Sequence, residues 1–170
     1  MSTPDELNIR LVRDGDKGAL WPILRDVVRA GDTYAIEPGL SQGMLMDYWC
    51  KAPRATYVAE AGGEILGTYY IKTNQAGGGA HVCNCGYITA PAARGRGVAR
   101  AMCLHSQNVA RDLGYLAMQF NLVVSTNTGA LRLWEALEYE RVGHLPAAFR
   151  HPVAGLVDAF VMYKWLGAPG

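Results

Sequence analysis

The chain has 170 residues, half of them hydrophobic, so we expect residues 1–170 to form a single domain with a sizeable core. The formal net charge of +1 lacks the basic excess that is typical of nucleic-acid-binding proteins. No apolar run reaches the length of a membrane span, and residues 1–10 do not resemble a signal peptide, so we expect a cytoplasmic protein that binds neither nucleic acid nor membrane.

Apolar periodicity and turn residues predict alternating groups of helices and strands. Pro22 inside the first helical pattern predicts a late start or a kink. A Gly-Gly pair between two β-rich runs predicts a tight hairpin. In chain order, the predicted elements are a strand over residues 8–13, a helix that Asp16 can cap and Gly31 ends, a helix capped by Ser41, strands over 56–61, 64–72 and 82–89, a helix over 97–113, a strand over 115–124, a helix over 127–137, and strands over 139–145 and 156–165.

The order of these elements constrains the sheet. Three consecutive strands in the first half should pair antiparallel, because a tight hairpin joins the first two. The helix over 97–113 should carry the chain to a parallel strand through a right-handed crossover.

The cysteines are Cys50, Cys83, Cys85 and Cys103. Cys83 and Cys85 are separated by one residue, which is neither the CxxC spacing of redox sites nor that of zinc sites. We therefore expect small buried thiols, with no disulfide and no metal site.

The segment Arg94-Gly95-Arg96-Gly97-Val98-Ala99 lies between a predicted strand and a predicted helix. A helix start exposes unpaired N–H groups, glycines allow a ligand to approach them closely, and arginines add forked donors suited to phosphate. The segment therefore predicts a pyrophosphate site. It lacks the Gly-Lys-Ser/Thr of a Walker loop and the spacing of a dinucleotide fingerprint, while a solvated basic turn remains an alternative at this point.

Arg94-x-x-Gly97-x-Ala99 resembles the R/Q-x-x-G-x-G/A signature of the GNAT superfamily of N-acetyltransferases. Asn127-x-x-Ala130-x-x-Leu133-Trp134 resembles the stretch that lines the pantetheine arm in that superfamily. The resemblance implies a three-layer α/β/α fold of the α+β class, with a central, mostly antiparallel sheet of about seven strands, a splayed parallel pair and helices on both faces. It also implies that acetyl-CoA is the cosubstrate, with its pyrophosphate on Arg94, Gly95, Arg96, Gly97, Val98 and Ala99. Trp134 stands where the superfamily usually has a tyrosine that protonates the departing thiolate.

A closer resemblance covers residues 31–165 and is to the azetidine-2-carboxylate (proline-analogue) N-acetyltransferases. The matching strings are Thr33-Tyr34, Tyr48-Trp49, residues 66–72, Cys83-Asn84, residues 113–115, residues 120–123 and Thr126-Asn127. This resemblance implies that Asn84 and Asn121 contact the substrate and that Asn127 helps to place the coenzyme. Residues 149–158 depart from the pattern of that subfamily.

The predicted reaction is direct attack of a neutral amine on the thioester. A main-chain N–H of the strand over 82–89 is a candidate donor to the oxyanion. Asn84 and Asn121 are the predicted catalytic residues and, with Tyr34, the predicted substrate-binding residues, although an asparagine cannot act as a true base. We expect proximity and a water chain to supply most of the catalysis, with His81 as the best side-chain candidate for a base.

Three alternative functions are compatible with this sequence. The first is acetylation of a small-molecule amine, possibly an amino acid or a proline analogue. The second is acetylation of a protein or peptide amine, and the third is a non-catalytic acyl-CoA-binding module. Homodimerisation is common in such folds, and the sequence does not decide it.

Overall fold

The computed structural model of the chain describes residues 6–167, and within them seven strands and four α-helices follow the predicted order. The strands are β1 (Asn8–Leu11), β2 (Ala55–Ala61), β3 (Glu64–Thr73), β4 (Val82–Thr89), β5 (Ala117–Val124), β6 (Glu140–His151) and β7 (Gly155–Trp165). The helices are α1 (Lys17–Ala30), α2 (Gln42–Met46), α3 (Val98–Asp112) and α4 (Thr128–Ala136). No helix in residues 6–167 has both the length and the apolar character needed to cross a membrane.

All seven strands belong to one sheet in the order β1-β2-β3-β4-β5-β7-β6. Every neighbouring pair is antiparallel except β4 and β5, which are parallel. The predicted mixed, mostly antiparallel sheet with one parallel pair is therefore confirmed. The α3 crossover between β4 and β5 is the connection that makes this pair parallel.

Helices cover both faces of the sheet, as predicted for a three-layer fold. On one face, α1 and α2 pack on β2, β3 and β4 through the buried residues Leu20, Leu24, Val28, Leu45, Trp49, Val58, Tyr70 and Ile88. On the other face, α3 and α4 pack on the sheet through Met102, Cys103, Ala110, Leu131, Trp134, Tyr69, Tyr87, Met118 and Phe120. The strands of the parallel pair, β4 and β5, separate along most of their length, and the gap between them lies between these two cores.

Local sequence signals explain several element ends. Gly62 and Gly63 have φ values of 58° and 79°, which suit a tight β2–β3 hairpin and are unfavourable for other residues. Ser41 caps α2 as predicted, because its hydroxyl accepts the main-chain N–H of Met44 at 3.3 Å. Gly31 ends α1 in the left-handed conformation with φ 67°.

Three details differ from the sequence prediction. Asp16 makes no side-chain cap on α1, because its carboxylate instead binds the guanidinium of Arg10 at 2.8 Å. Pro22 lies within α1, which begins at Lys17 rather than after the proline. Strand β6 continues to His151 rather than ending at Leu145, because pairing with β7 resumes after an irregularity between Leu145 and Phe149.

Candidate active site

The two strands of the parallel pair separate soon after they meet. Strands β4 and β5 pair only at Val82 with Ala117 and at Cys83 with Met118. Main-chain groups alternate in direction along a strand, and Val82 and Ala90 bond towards β3. The N–H and C=O groups of Cys85 and Tyr87 therefore face the gap that β5 leaves open. A ligand with its own amides can satisfy such groups.

Asn84 lies at the point where the strands separate and is only 7 % exposed. Its side-chain amide donates to the main-chain carbonyl of Gln119 on β5 at 2.9 Å. Asn121 lies two residues further along β5, where it accepts from the Gln119 side chain at 3.0 Å and donates to Asn74 at 2.8 Å. Asn84 and Asn121 therefore border the same opening. The buried side chain of Asn84 connects β4 to β5, whereas the side-chain amide of Asn121 is exposed.

Tyr34 reaches the opposite side of the gap from the loop between α1 and α2. Its hydroxyl accepts the main-chain N–H of Tyr87 at 2.7 Å and donates to the carbonyl of the same residue. Burial raises the pKa of Tyr34 well above its ordinary value, so the phenol is neutral at any ordinary pH. The ring packs edge-on against Trp49 with centroids 5.9 Å apart.

The turn that precedes α3 has the geometry of an anion site. Gly95 and Gly97 have φ values of 74° and 78°, and open space lies where a Cβ would be added at either residue. Within the described chain, the main-chain N–H groups of Gly95, Gly97, Val98 and Ala99 have no protein acceptor. These groups are the orphan donors of a helix start and are available to a phosphate.

A large cavity of about 990 Å³ extends from this turn into the gap. Arg94, Gly95, Gly97, Val98 and Ala99 line it, as the sequence predicts for a coenzyme site, whereas Arg96 does not. Arg100 also lines the cavity, although sequence reasoning missed it. Its position three residues after Gly97 was the available signal, since that spacing returns a side chain to the same face of a helix. The cavity has the size and the donors to hold acetyl-CoA.

Helix α4 borders the same cavity with Asn127, Ala130 and Trp134. The side chain of Asn127 caps α4, because its oxygen accepts the N–H of Ala130 at 3.3 Å. Asn127 is thus fixed by its own helix at the position where the coenzyme was expected. Trp134 is 8 % exposed and lines the cavity with an indole, which offers one N–H donor and no acidic proton.

A smaller cavity of about 220 Å³ continues past the gap on the side of α2. Its lining includes the predicted substrate residues Tyr34, Asn84 and Asn121. Lys72 also lines it and was missed, because a lone lysine at the end of a strand resembles any solvated charge. Its ammonium lies 5.3 Å from the ring centroid of Tyr70 and 5.7 Å from that of Tyr48.

Two histidines, His81 and His151, are candidates for a role in this site and differ in position. His81, the predicted base candidate, is exposed and lines neither of the two cavities, so the structure gives no support to that role. His151, at the end of β6, lines the large cavity. Its Nδ1 accepts the main-chain N–H groups of Val153 and Ala154 at 3.1 and 3.0 Å. The Nδ1 atom is thus used as an acceptor, and a neutral ring held this way has its N–H at Nε2.

Comparisons with known proteins agree with this geometry. Residues 22–139 match the model of the Acetyltransferase (GNAT) family. The N-acetyltransferase aca1 of Schizosaccharomyces pombe is 30 % identical over 151 residues, a match covering 79 % of this chain and 72 % of that protein.

Solved structures have the same fold. A GCN5-related N-acetyltransferase from Kribbella flavida is 40 % identical with a TM-score of 0.89, and the match covers 94 % of this chain and 97 % of that one. A phosphinothricin acetyltransferase from Sinorhizobium meliloti, solved with acetyl-CoA, is 19 % identical with a TM-score of 0.81 and coverages of 95 % and 89 %.

Proposed function

The chain belongs to the GNAT acetyltransferase family, and on that basis we propose that it acetylates a compact acceptor carrying both an amine and a carboxylate. Members of the family take the acetyl group from acetyl-CoA, so the chain is an acetyl-CoA-dependent N-acetyltransferase. The proposed acceptor class is an amino acid or a proline analogue. The position of Lys72 in the smaller cavity is the observation that carries this choice.

Coenzyme binding would use the free main-chain amides of the turn before α3. The N–H groups of Gly95, Gly97, Val98 and Ala99 suit the pyrophosphate oxygens, and the positive end of the α3 dipole adds to the attraction. Arg94 and Arg100 line the same cavity and supply the positive charge. The pantetheine arm would then enter the gap and pair with the main-chain groups that β5 leaves unpaired.

Acceptor recognition would depend on the charge of the smaller cavity. Lys72 forms no ion pair with any residue of the described chain, and no lining residue in residues 6–167 is acidic. A half-buried ammonium without a counter-ion favours an anionic ligand group. Lys72 lies directly opposite Asn84 in the β3–β4 register, so one carboxylate can contact both side chains.

The size of the cavity supports a small acceptor. Its volume of about 220 Å³ lies below the range of roughly 300–1,000 Å³ that accommodates drug-sized ligands. Tyr34, Tyr48 and Tyr70 form aromatic walls around it. These dimensions suit an amino acid better than a folded protein segment.

The chemistry needs the amine in its neutral form. Aliphatic amines have a pKa of about 10.4, and no carboxylate of the described residues lines the smaller cavity, where it could remove the proton. We infer that water takes the proton, while Asn84 and Asn121 orient the amine towards the thioester. The nitrogen lone pair then attacks the carbonyl carbon, and the nitrogen of the tetrahedral species gives its proton to water. The species collapses to the amide as the C–S bond breaks, and coenzyme A leaves as the thiolate, which solvent protonates.

The test is thiol release from acetyl-CoA with a matched acceptor panel. Proline, azetidine-2-carboxylate and other free amino acids are compared with their amides and methyl esters and with short peptides. We expect turnover with the free acids and at least a tenfold lower kcat/KM with the neutral derivatives. Turnover with peptides alone would instead support acetylation of protein amines.

Replacement of Lys72 separates the carboxylate contact from general damage. Lys72→Met should raise the KM of a free amino acid about tenfold and leave that of its methyl ester nearly unchanged. Lys51→Met is the matched control, because Lys51 is exposed and pairs with Asp47 outside both cavities. Equal losses for the acid and the ester would contradict the assignment of Lys72.

A further inference from the structure

The hydroxyl of Tyr34 occupies a position that the main chain of β5 would fill in a continuous sheet. It accepts from the N–H of Tyr87 at 2.7 Å and donates to the carbonyl of Tyr87, as a neighbouring strand would. Tyr34 belongs to a loop rather than to the sheet, so this pairing is made by a side chain and not by a strand. The N–H of Tyr87 is thereby kept satisfied in a gap that β5 has left.

Tyr87 is also the point at which the two cavities meet. Six of the described residues line both cavities, and Tyr87 is the member of this set that belongs to β4. The six residues are Thr33, Tyr34, Tyr87, Asn127, Ala130 and Trp134. The amine arrives from the small cavity and the thioester from the large one, so the reacting carbonyl carbon belongs at this junction.

Few groups at the junction can donate a hydrogen bond to a developing oxyanion. The Thr33 hydroxyl is bonded to Asp32 at 3.0 Å, and the Asn127 side chain caps α4. The hydroxyl of Tyr87 points to the other side of the sheet, where it bonds Ser106 at 2.7 Å. Among the described residues at the junction, the Trp134 indole N–H, the Asn127 side-chain N–H groups, the main-chain N–H of Tyr87 and the Tyr34 hydroxyl remain. The last two already contact each other, so they can bind one oxygen together.

We propose that Tyr34 is a catalytic hydrogen-bond donor that holds the oxyanion of acetyl transfer together with the main-chain N–H of Tyr87. When the amine attacks, the carbonyl π electrons move to the oxygen. That oxygen replaces the phenol as acceptor of the Tyr87 N–H, and the Tyr34 hydroxyl turns its proton from the Tyr87 carbonyl to the oxyanion. The nitrogen gives its proton to water, and collapse of the intermediate restores the carbonyl and expels the thiolate, while the phenol keeps its proton throughout.

The surroundings of Tyr34 favour a donor over an acid. Burial raises the pKa of its phenol, so the group stays protonated and does not ionise during turnover. Donors placed before the reaction in a desolvated site stabilise developing charge strongly. The inference needs acetyl transfer alone and is independent of the acceptor carboxylate.

The test is Tyr34→Phe, with kcat measured on any accepted amine and the bound thioester observed by infrared spectroscopy of acetyl-CoA labelled with ¹³C at the carbonyl. Loss of one oxyanion donor should lower kcat about 10²-fold. The carbonyl band, lowered on binding to the unmodified enzyme, should be lowered less in the variant. Acetyl-CoA affinity should be equal or higher, because the competing hydroxyl is gone. A kcat within threefold of the original, or a large loss with an unchanged band, would overturn the proposal.

Two further variants distinguish a catalytic role of the Tyr34 hydroxyl from a purely structural one. Tyr57→Phe removes a hydroxyl from a ring that stacks on Tyr69 outside both cavities, and it should leave kcat unchanged. Should Tyr34→Phe fail to fold, 3-fluorotyrosine at position 34 retains the hydroxyl with a more acidic proton. The carbonyl band should then shift further than in the unmodified enzyme, and an identical band would reject the role. Both infrared readouts need only bound acetyl-CoA, so they stand even if no amino acid proves to be the acceptor.

Discussion

The side-chain amide of Asn84 donates to the main-chain carbonyl of Gln119 over 2.9 Å, across the point where the parallel strands separate. This bond replaces the main-chain ladder that ends at Cys83 and Met118. A side chain therefore closes the inner end of the gap, and it does so beside Lys72 on the neighbouring strand. The width of the opening and the lining of the smaller cavity therefore both involve Asn84.

Asn84→Ala should consequently damage acceptor kinetics more than coenzyme binding. The change leaves the Gln119 carbonyl without its donor in a largely buried place, which costs about 1–3 kcal/mol of unfolding free energy. We expect the acceptor KM to rise tenfold or more while the acetyl-CoA Kd changes less than threefold. Steady-state kinetics and calorimetric titration give the two values, and the reverse pattern would remove Asn84 from the acceptor site.

Asn121→Ala provides the comparison, because Asn121 is exposed and, within residues 6–167, its side chain bonds only to the side chains of Gln119 and Asn74. Its loss should lower the free energy of unfolding by less than about 0.5 kcal/mol, since exposed polar substitutions are usually mild. An effect on acceptor kinetics in this stable variant would isolate the contribution of the amide to substrate binding.

Gly97→Val should weaken acetyl-CoA binding by at least tenfold. The φ of 78° is unfavourable for a β-branched residue, and the added side chain would enter the open space beside the free amides. Gly63→Val is the matched control, because Gly63 has φ 79°, also faces open space and lies in the β2–β3 hairpin. Both variants should lose roughly 1–2 kcal/mol of stability. Equal acetyl-CoA affinities, measured by titration, would exclude the turn before α3 as the pyrophosphate site.

The sequence was sufficient to predict the elements with strong local signals. Strand β4 has the predicted bounds because Pro91 and a polar glycine loop flank it, and the turn before α3 is specified by Gly95 and Gly97. Both features depend on residues close together in the chain. The turn that we propose as the pyrophosphate site could therefore be identified before any fold was known.

Contacts between distant residues could not be predicted in the same way. Tyr34 and Tyr87 are 53 residues apart, and an aromatic residue in a loop gives no indication that its hydroxyl replaces a strand. Lys72 could not be distinguished from a solvated lysine until the charges around it were known. Asp16 has the character of a helix cap, yet tertiary pairing with Arg10 takes its carboxylate instead.

The Arg10 cluster should make the fold sensitive to acid. Hydrogen bonds from Arg10 lower the pKa of Asp16 and, in the same way, that of Glu60. A carboxylate with a lowered folded-state pKa adds stability above its unfolded value of about 4, and this stability is lost as pH falls through the folded value. Urea unfolding of the unmodified protein should therefore weaken steeply below pH 4.

Asp16→Asn tests this pH dependence. At pH 7 the variant should be less stable by roughly 1 kcal/mol, because the pair with Arg10 is partly screened by solvent. The two proteins should converge in stability as pH falls through the lowered folded-state pKa of Asp16, where the carboxyl becomes protonated. A difference that stays constant until acid unfolds both proteins would mean that Asp16 stabilises the fold without its charge.

Gly86→Ala should change the shape of the smaller cavity, because the added methyl group displaces the ring of Tyr70. A Cβ at Gly86 would lie 2.7 Å from Cε1 of the Tyr70 ring, which is closer than real atoms approach. That ring is fixed edge-on against Trp49 at 4.8 Å and lies beside the Lys72 ammonium. We expect a loss of about 1–3 kcal/mol in unfolding free energy. The acceptor KM should rise severalfold as Lys72 moves, with an unchanged acetyl-CoA Kd.

A double-mutant cycle separates the clash from other effects of the added methyl group. In a Tyr70→Leu background the ring is absent, so Gly86→Ala should cost little further stability. The coupling measured by urea unfolding should then be about 1 kcal/mol or more. If the two changes are additive, the Tyr70 ring tolerates the methyl group and the cause of any acceptor defect lies in the β4 backbone.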